Sequence, residues 1–255
     1  MGGSGSAGRF SRTELLLGEE GIDRLAASTV AVFGLGGVGS FTVEALARAG
    51  VGHLVLIDHD VVDVSNVNRQ LHALTDTIGK RKTDLMGDRV RRINPDAVVD
   101  TISEFYLPDN ADRFFQRKYD YVVDAIDTVT SKIDLVLQCR ERGVPIISCM
   151  GAGNKLHPEL FEIADIYSTS VDPLARVMRK KLKEHQIKSL KVVYSKEVPV
   201  VQTGVVAGQS GTLSENTDEG CKLRGKKRAP GSISFVPSVA GLILAGEVVR
   251  DLTSA

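Results

Sequence analysis

The chain of 255 residues is poor in cysteine and in aromatic residues and carries no net charge. Its three cysteines, Cys139, Cys149 and Cys221, form no CxxC pair, which excludes a disulfide framework and a zinc site built from paired cysteines. Lysine plus arginine and aspartate plus glutamate number 32 each, so no overall charge points to nucleic acid. We therefore expect a reducing, cytoplasmic location. We also expect binding partners to be recognised by local surface features and not by the overall charge.

Long apolar runs are missing as well. The longest, residues 236–245, is interrupted by Pro237 and Ser238 and is far too short to cross a membrane, so no membrane association is expected. Residues 1–8, MGGSGSAG, lack the charged and apolar blocks of a signal peptide and are typical of an expression tag. We expect residues 9–255 to form one domain.

A glycine-rich turn is the strongest local pattern. Residues 29–39, TVAVFGLGGVG, contain a β-branched run followed by Gly34, Gly36 and Gly39 at GxGxxG spacing. Glycines let the backbone approach a phosphate, and the N-terminus of the next helix offers free N–H donors. The pattern predicts strand, turn, helix and an anionic ligand, although a merely tight turn explains it as well.

Apolar runs and helical periodicities alternate through the next hundred residues. Strands are predicted at residues 53–58, 97–102, 119–127 and 145–150, and helices at 79–93, 110–116 and 129–142. This alternation predicts a Rossmann-like, doubly wound and mostly parallel α/β sheet. Beyond it we expect a C-terminal antiparallel extension, helices at 172–187 and 237–252, and a mobile loop at 202–231.

Polar residues cluster where the second strand ends. Asp58 lies where a carboxylate accepts hydrogen bonds from a ribose, a placement that an NAD dehydrogenase would share. The long loop that follows is unlike one, because SNVNRQ at 65–70 and GKRK at 79–82 crowd amides and cations together. DAID at 124–127 adds two carboxylates at the end of a later strand.

GLGGVG, the aspartate at 58, SNVNRQ with GKRK, and DAID together resemble the ubiquitin-activating-enzyme (E1-like) superfamily, whose members form acyl-adenylates from ATP and a carboxylate. The resemblance implies an E1-like adenylation fold, ATP as substrate and Mg²⁺ as cofactor. The positions it implies for nucleotide binding are Gly34, Gly36, Gly37, Asp58, Asn66 and Gln70. The positions it implies for the chemistry are Arg12, Arg69, Lys82 and Asp127.

The resemblance also implies individual roles. Arg69 and Lys82 would offset the charge of the triphosphate, Asp127 would bind the magnesium ion, and Arg12 would reach the ATP site of a partner subunit in a homodimer. Alternatives stay open: Asn66 and Asn68 as loop caps, Lys82 as a solvated helix residue, and Arg9 in place of Arg12.

Residues 9–25 and 171–185 further resemble the tRNA threonylcarbamoyladenosine dehydratases. That subgroup uses ATP to activate the threonyl carboxylate of a modified adenosine beside the tRNA anticodon and closes a ring with net loss of water. The missing CxxC pairs argue against the alternative, an adenylyltransferase that activates the C-terminus of a sulfur-carrier or ubiquitin-like protein. The resemblance to this subgroup also suggests a sulfur-transfer protein as a partner and a bound monovalent cation.

A tRNA substrate implies a local basic surface. One candidate is the predicted helix with Arg176, Arg179, Lys180, Lys181 and Lys183, and a second is the run of lysines and arginines at 222–228. A solvated helix face explains the first cluster nearly as well. Cys221 is interpreted as an incidental exposed thiol, with a reactive cysteine as the alternative, and Cys139 and Cys149 as core residues.

Overall fold

A computed structural model describes residues 8–201 and 229–254. Most of the predicted loop 202–231, including Cys221 and the basic run 222–228, lies outside the described residues. The helices are α1 (Ser11–Ala27), α2 (Gly39–Ala49), α3 (Lys82–Ile93), α4 (Val129–Glu141), α5 (Pro173–Glu184) and α6 (Phe235–Thr253). The strands are β1 (Thr29–Phe33), β2 (His53–Ile57), β3 (Val98–Ile102), β4 (Tyr121–Asp124), β5 (Ile146–Cys149), β6 (Phe161–Asp165) and β7 (Lys191–Ser195).

The strands form one sheet in the order β3-β2-β1-β4-β5-β7-β6. All neighbours are parallel except β6 and β7, which confirms the predicted α/β fold with its antiparallel extension. The strand order reverses between β1 and β4. Ligands of doubly wound sheets bind outside the carboxyl ends of the strands at this reversal, which here is where the glycine turn and DAID lie.

Several predicted elements are shorter than expected. The helices predicted at 79–93 and 172–187 are Lys82–Ile93 and Pro173–Glu184, and two other elements differ more clearly. The helix predicted at 110–116 is a single 3₁₀ segment, Pro108–Arg113, held by the buried rings of Tyr106 and Phe114 on either side. The strand predicted at 119–127 ends at Asp124 because the Asp124 side chain accepts the Ile126 N–H and turns the backbone out of the sheet. These turns are local side-chain effects that hydrophobic periodicity does not report.

Helices cover both faces of the sheet. On one face α2, α3 and α6 pack against the strands and bury Val43, Leu46 and Leu244 among others. On the other face α4 and α5 bury their own apolar residues against the strands. The helix predicted at 237–252 is α6, which packs against the sheet. It approaches α2 closely, since a Cβ on Gly241 would lie 2.3 Å from the Val38 carbonyl oxygen. In the described ranges no helix combines the length and the apolar character that crossing a membrane requires.

Candidate active site

The glycines of the turn differ in how much space surrounds them. A Cβ on Gly34, whose φ is 88°, would lie 2.6 Å from the Ala125 carbonyl oxygen, and one on Gly39 would lie 1.8 Å from that of Gly34. A Cβ on Gly36 would meet nothing closer than the Gln70 amide nitrogen at 4.0 Å. The fold therefore requires glycine at 34 and 39, whereas position 36 faces open space.

That open space is a cavity of about 690 Å³ at the carboxyl ends of the central strands. Nine of the ten predicted site residues line it. They are Gly34, Gly36, Gly37, Asp58, Asn66, Arg69, Gln70, Lys82 and Asp127. Because strands β1, β2 and β4 are parallel neighbours, the residues that follow them meet at one edge although they are far apart in the chain.

Arg12 is the predicted residue that lies elsewhere. It is exposed on α1 and does not line the cavity of its own chain. The alternative, Arg9, donates to the Ile93 carbonyl oxygen at 2.8 Å and is therefore engaged at the C-terminus of α3. Beside Arg12, Leu15 and Leu16 are 81% and 86% exposed.

Asp58 is fastened to the glycine turn. One carboxylate oxygen accepts the Leu35 N–H at 2.6 Å and the other accepts the Asp60 N–H at 2.8 Å. Each oxygen of an ionised carboxylate has a second lone pair, so Asp58 retains capacity for two more donors. Leu35 in the turn and the end of β2 are thus held together at the cavity wall.

Lys82 is the first residue of α3 and is only 4% exposed. Its ammonium lies 2.6 Å from an oxygen of Asp60 and 3.9 Å from one of Asp58. This placement argues against the solvated-helix alternative, because the charge is held at the cavity wall by carboxylates. Asp60 was not singled out from the sequence, since an exposed acidic loop gives no signal of such pairing.

The loop between β2 and α3 carries Asn66 and Arg69. Asn66 accepts the Asp63 N–H at 3.1 Å in a capping box, so the loop-cap interpretation holds for its oxygen. Arg69 donates to the Ser65 carbonyl oxygen at 2.9 Å and to the Asn68 side chain at 3.0 Å. The Asn68 amide in turn donates to the Ser232 carbonyl oxygen at 2.9 Å, which ties this loop to the segment before α6.

Buried polar atoms without partners lie behind this loop. Within the described chain, the Gln70 side-chain oxygen and both ring nitrogens of His72 make no hydrogen bond. Burial lowers the pKa of His72 to about 4, and the positive charge of Lys82 acts in the same direction. The imidazole is therefore neutral at pH 7. Gln70 lines the cavity, and a buried amide oxygen without a donor is unusual in a folded protein.

The turn that carries Asp127 is held by a buried ion pair. The Lys132 ammonium lies 2.9 Å from the Asp124 carboxylate, and both side chains are fully buried. Lys132 also donates to the Ile126 carbonyl oxygen at 3.0 Å, while the Ile126 N–H donates to Asp124 at 3.1 Å. Ser148 donates to the same carboxylate. Both ends of residue 126 are therefore fixed, which sets the position of the exposed Asp127 at the cavity.

The far half of the cavity is lined by residues 149–155, 172–174 and 229–232. A second buried pair fixes it, since the Lys155 ammonium lies 2.9 Å from Asp172 and also donates to the Gly151 carbonyl oxygen. The other Asp172 oxygen accepts the Ala175 N–H at 2.9 Å and caps α5. The helix predicted at 172–187 begins at this aspartate, whereas Lys155 was not singled out from the sequence.

Two cysteines were predicted to be core residues, and both are buried. Cys149 nonetheless touches the cavity wall. Burial raises the pKa of the Cys149 thiol to about 12 and also raises that of Cys139. Neither thiol is ionised near neutral pH, so neither is suited to act as a nucleophile.

Comparison with known proteins bears on what this arrangement does. The ThiF family model matches residues 10–255. The chain is 50% identical over 245 residues to the tRNA threonylcarbamoyladenosine dehydratase of Bacillus subtilis, covering 96% of this chain and 94% of that protein. It is 42% identical over 175 residues to the dehydratase of Escherichia coli, covering 69% and 65%.

A solved structure is similar over nearly the whole chain. It is the crystal structure of E. coli tRNA N6-threonylcarbamoyladenosine dehydratase in complex with ATP, with a TM-score of 0.83 and 32% identity. The match covers 96% of this chain and 94% of that one.

Proposed function

Because the chain belongs to the ThiF family, we propose that it is an ATP-dependent enzyme that forms a carboxyl-adenylate on N6-threonylcarbamoyladenosine in a tRNA anticodon loop and closes it into a ring. The observation that carries the proposal is the single cavity in which nine predicted site residues meet. The 50% identity to a tRNA threonylcarbamoyladenosine dehydratase over 96% of the chain supports the substrate.

ATP binding follows from the geometry of the turn. The backbone at Gly36 and Gly37 and the N-terminus of α2 face the cavity, so their N–H groups are available to phosphate oxygens. We assign Asp58, which is held between the turn and the end of β2, to the ribose hydroxyls. The Gln70 amide nitrogen is the atom nearest to a Cβ built on Gly36, at 4.0 Å, so this side chain borders the same part of the cavity.

Cations at the cavity offset the charge of the reaction. Attack of a carboxylate on the α-phosphorus brings two anionic groups together and expels pyrophosphate. Arg69 and Lys82 lie where they can neutralise the triphosphate and the leaving group. No side chain has to form a covalent bond, which agrees with the high pKa of the Cys149 thiol.

Asp127 is the residue we propose for Mg²⁺. Its carboxylate is exposed to the cavity, and one or two carboxylates with substrate phosphates are the usual protein ligands of this ion. Asp58, His59 and Asp60 also bring ligand atoms within 4.8 Å of one another, but the Lys82 ammonium already supplies positive charge there. When bound, the ion would screen the phosphate oxygens and favour loss of pyrophosphate.

After activation, ring closure joins two groups of the substrate. The carbamoyl nitrogen attacks the activated carbonyl carbon, a C–N bond forms, the C–O bond to AMP breaks so that AMP leaves with the former carboxylate oxygen, and the proton of the nitrogen passes to water. The carboxylate and carbamoyl group belong in the far half of the cavity, whose walls Lys155 and Asp172 hold in place.

The direct test mixes the purified protein with ATP, Mg²⁺ and tRNA that carries N6-threonylcarbamoyladenosine. We expect stoichiometric AMP and a nucleoside lighter by one water in mass spectrometry. Asp127→Ala should lower AMP formation at least about 100-fold while the protein stays folded, because a bound metal ion contributes several kcal/mol of charge stabilisation. Asp109→Ala, at an exposed carboxylate outside the cavity, is the matched control. AMP formed with a sulfur-carrier protein and not with tRNA would replace this proposal by the alternative.

We further propose a homodimer in which Arg12 reaches the partner's cavity. The exposed Leu15 and Leu16 beside it form an apolar patch that a second copy would cover. Arg12→Ala and Asp127→Ala should each be inactive alone. Mixed in equal amounts and allowed to exchange subunits, they should regain about a quarter of the wild-type activity, since half of the dimers then carry one intact site. No recovery after exchange would show that Arg12 does not act across an interface.

Five further expectations from the sequence stay predictions: the expression tag at 1–8, the single domain at 9–255, the cytoplasmic location, the sulfur-transfer partner and the monovalent cation.

A further inference from the structure

Helix α5 presents a row of cations on its outer face. Arg176, Lys180 and Lys183 are exposed and follow one another at helical spacings of four and three residues, so their side chains share one side of the helix. We refer to these three residues as the basic ridge. Throughout residues 8–201 and 229–254, none of these three side chains makes an ion pair or a hydrogen bond.

The other two cations of this helix are already used. Arg179 is half-buried and donates to the carbonyl oxygens of Thr169 at 3.0 Å and Ile166 at 3.5 Å, which anchors the helix to the preceding segment. Lys181 lies 3.0 Å from Glu184 in an exposed pair. The structure therefore divides the predicted basic cluster into anchoring residues and a ridge whose charges face solvent.

The ridge has a fixed relation to the cavity. Asp172, Pro173 and Leu174, which open α5, line the cavity wall, and the buried pair of Asp172 with Lys155 fastens that end. The opposite face of α5 is buried through Ala175, Met178 and Leu182. The ridge thus starts within one turn of the cavity mouth and extends over about 10 Å of helix rise toward the far edge of the sheet.

We propose that the basic ridge binds backbone phosphates of the tRNA strand that adjoins the modified adenosine. This inference rests on the proposed function and names the surface that holds its substrate. When one base enters a cavity, the neighbouring phosphates stay outside, and a row of cations that leads away from the mouth matches them in charge. A chain with no net charge has no general attraction for RNA, so a local ridge has to provide it.

The test compares two variants with the same change in net charge. The ridge variant is Arg176→Gln/Lys180→Gln/Lys183→Gln. The control variant is Arg48→Gln/Arg92→Gln/Lys118→Gln, at exposed cations in α2, before β3 and before β4, none of which adjoins α5 in the chain. Fluorescence anisotropy measures binding of labelled tRNA carrying N6-threonylcarbamoyladenosine at 50 to 200 mM salt. ATP binding and urea unfolding show that both variants are intact.

Three single-strand phosphate contacts contribute a slope of about 2 in log affinity against log salt. Wild-type affinity should therefore fall about 20-fold more than that of the ridge variant over this range, while the control variant follows wild type. Equal slopes for ridge and control variants would overturn the inference. If the wild type forms no AMP with this tRNA, the proposed function is wrong, and the binding measurement still decides whether the ridge holds RNA phosphates.

Discussion

Substituting Gly36 tests whether this glycine is needed for binding the ligand and not for folding. A Cβ at this position would meet no atom closer than 4.0 Å and would project into the cavity, whereas a Cβ on Gly39 would lie 1.8 Å from the Gly34 carbonyl oxygen. Gly36→Ala should therefore leave the free energy of unfolding unchanged or raise it by up to about 1 kcal/mol, because alanine restricts the unfolded chain. Gly39→Ala should lower it by about 1–3 kcal/mol or more, since the backbone has to move.

ATP affinity should change in the opposite sense. If the backbone at Gly36 approaches a phosphate, a methyl group there blocks at least one charge-assisted hydrogen bond, which contributes about 1.5–3 kcal/mol. The Kd for ATP should rise roughly 10- to 150-fold in Gly36→Ala. Isothermal titration calorimetry with ATP and urea unfolding followed by circular dichroism measure the two quantities on the same samples. A Kd within twofold of wild type would refute the assignment of this turn to the phosphates.

Two further predictions concern buried charges. Lys132→Met leaves the fully buried Asp124 carboxylate without its partner and should cost about 3–5 kcal/mol in urea unfolding. Lys196→Met, which breaks an exposed pair, should cost less than about 1 kcal/mol, and similar losses in the two variants would contradict the argument. For His72, burial lowers the pKa from 6.5 to about 4, so the unfolded chain takes up the proton first as the pH falls. The wild type should therefore keep its full stability above pH 6.5 and lose on the order of 3 kcal/mol by pH 4 relative to His72→Leu, as pH-dependent urea unfolding would show.

Several features of the site could be predicted because they depend on local pattern. The β-branched run before Gly34 and the alanine-rich run after Gly39 already contain the strand, the turn and the helix. Parallel strands align their carboxyl ends, so the motifs after β1, β2 and β4 had to meet once the alternation of strands and helices was recognised. The same reasoning could not place Arg12, because its expected target belongs to another chain.

Other features depend on pairs of residues that only the folded chain brings together. Lys132 pairs with Asp124 across a helix and a strand, and Lys155 pairs with Asp172 across two segments. A lysine looks the same in sequence whether it is solvated or buried, and the difference is set by which carboxylate the strand order places beside it. The same holds for Lys82, whose burial depends on how α3 meets the end of β2.

The order of the elements, the phosphate-binding turn and the shared edge of the site residues thus follow from residue pattern, because they arise from local preferences and the direction of parallel strands. The buried lysine pairs and the division of α5 into anchors and ridge follow from tertiary structure alone. Side-chain pairing over distance decides them, and no local periodicity encodes it.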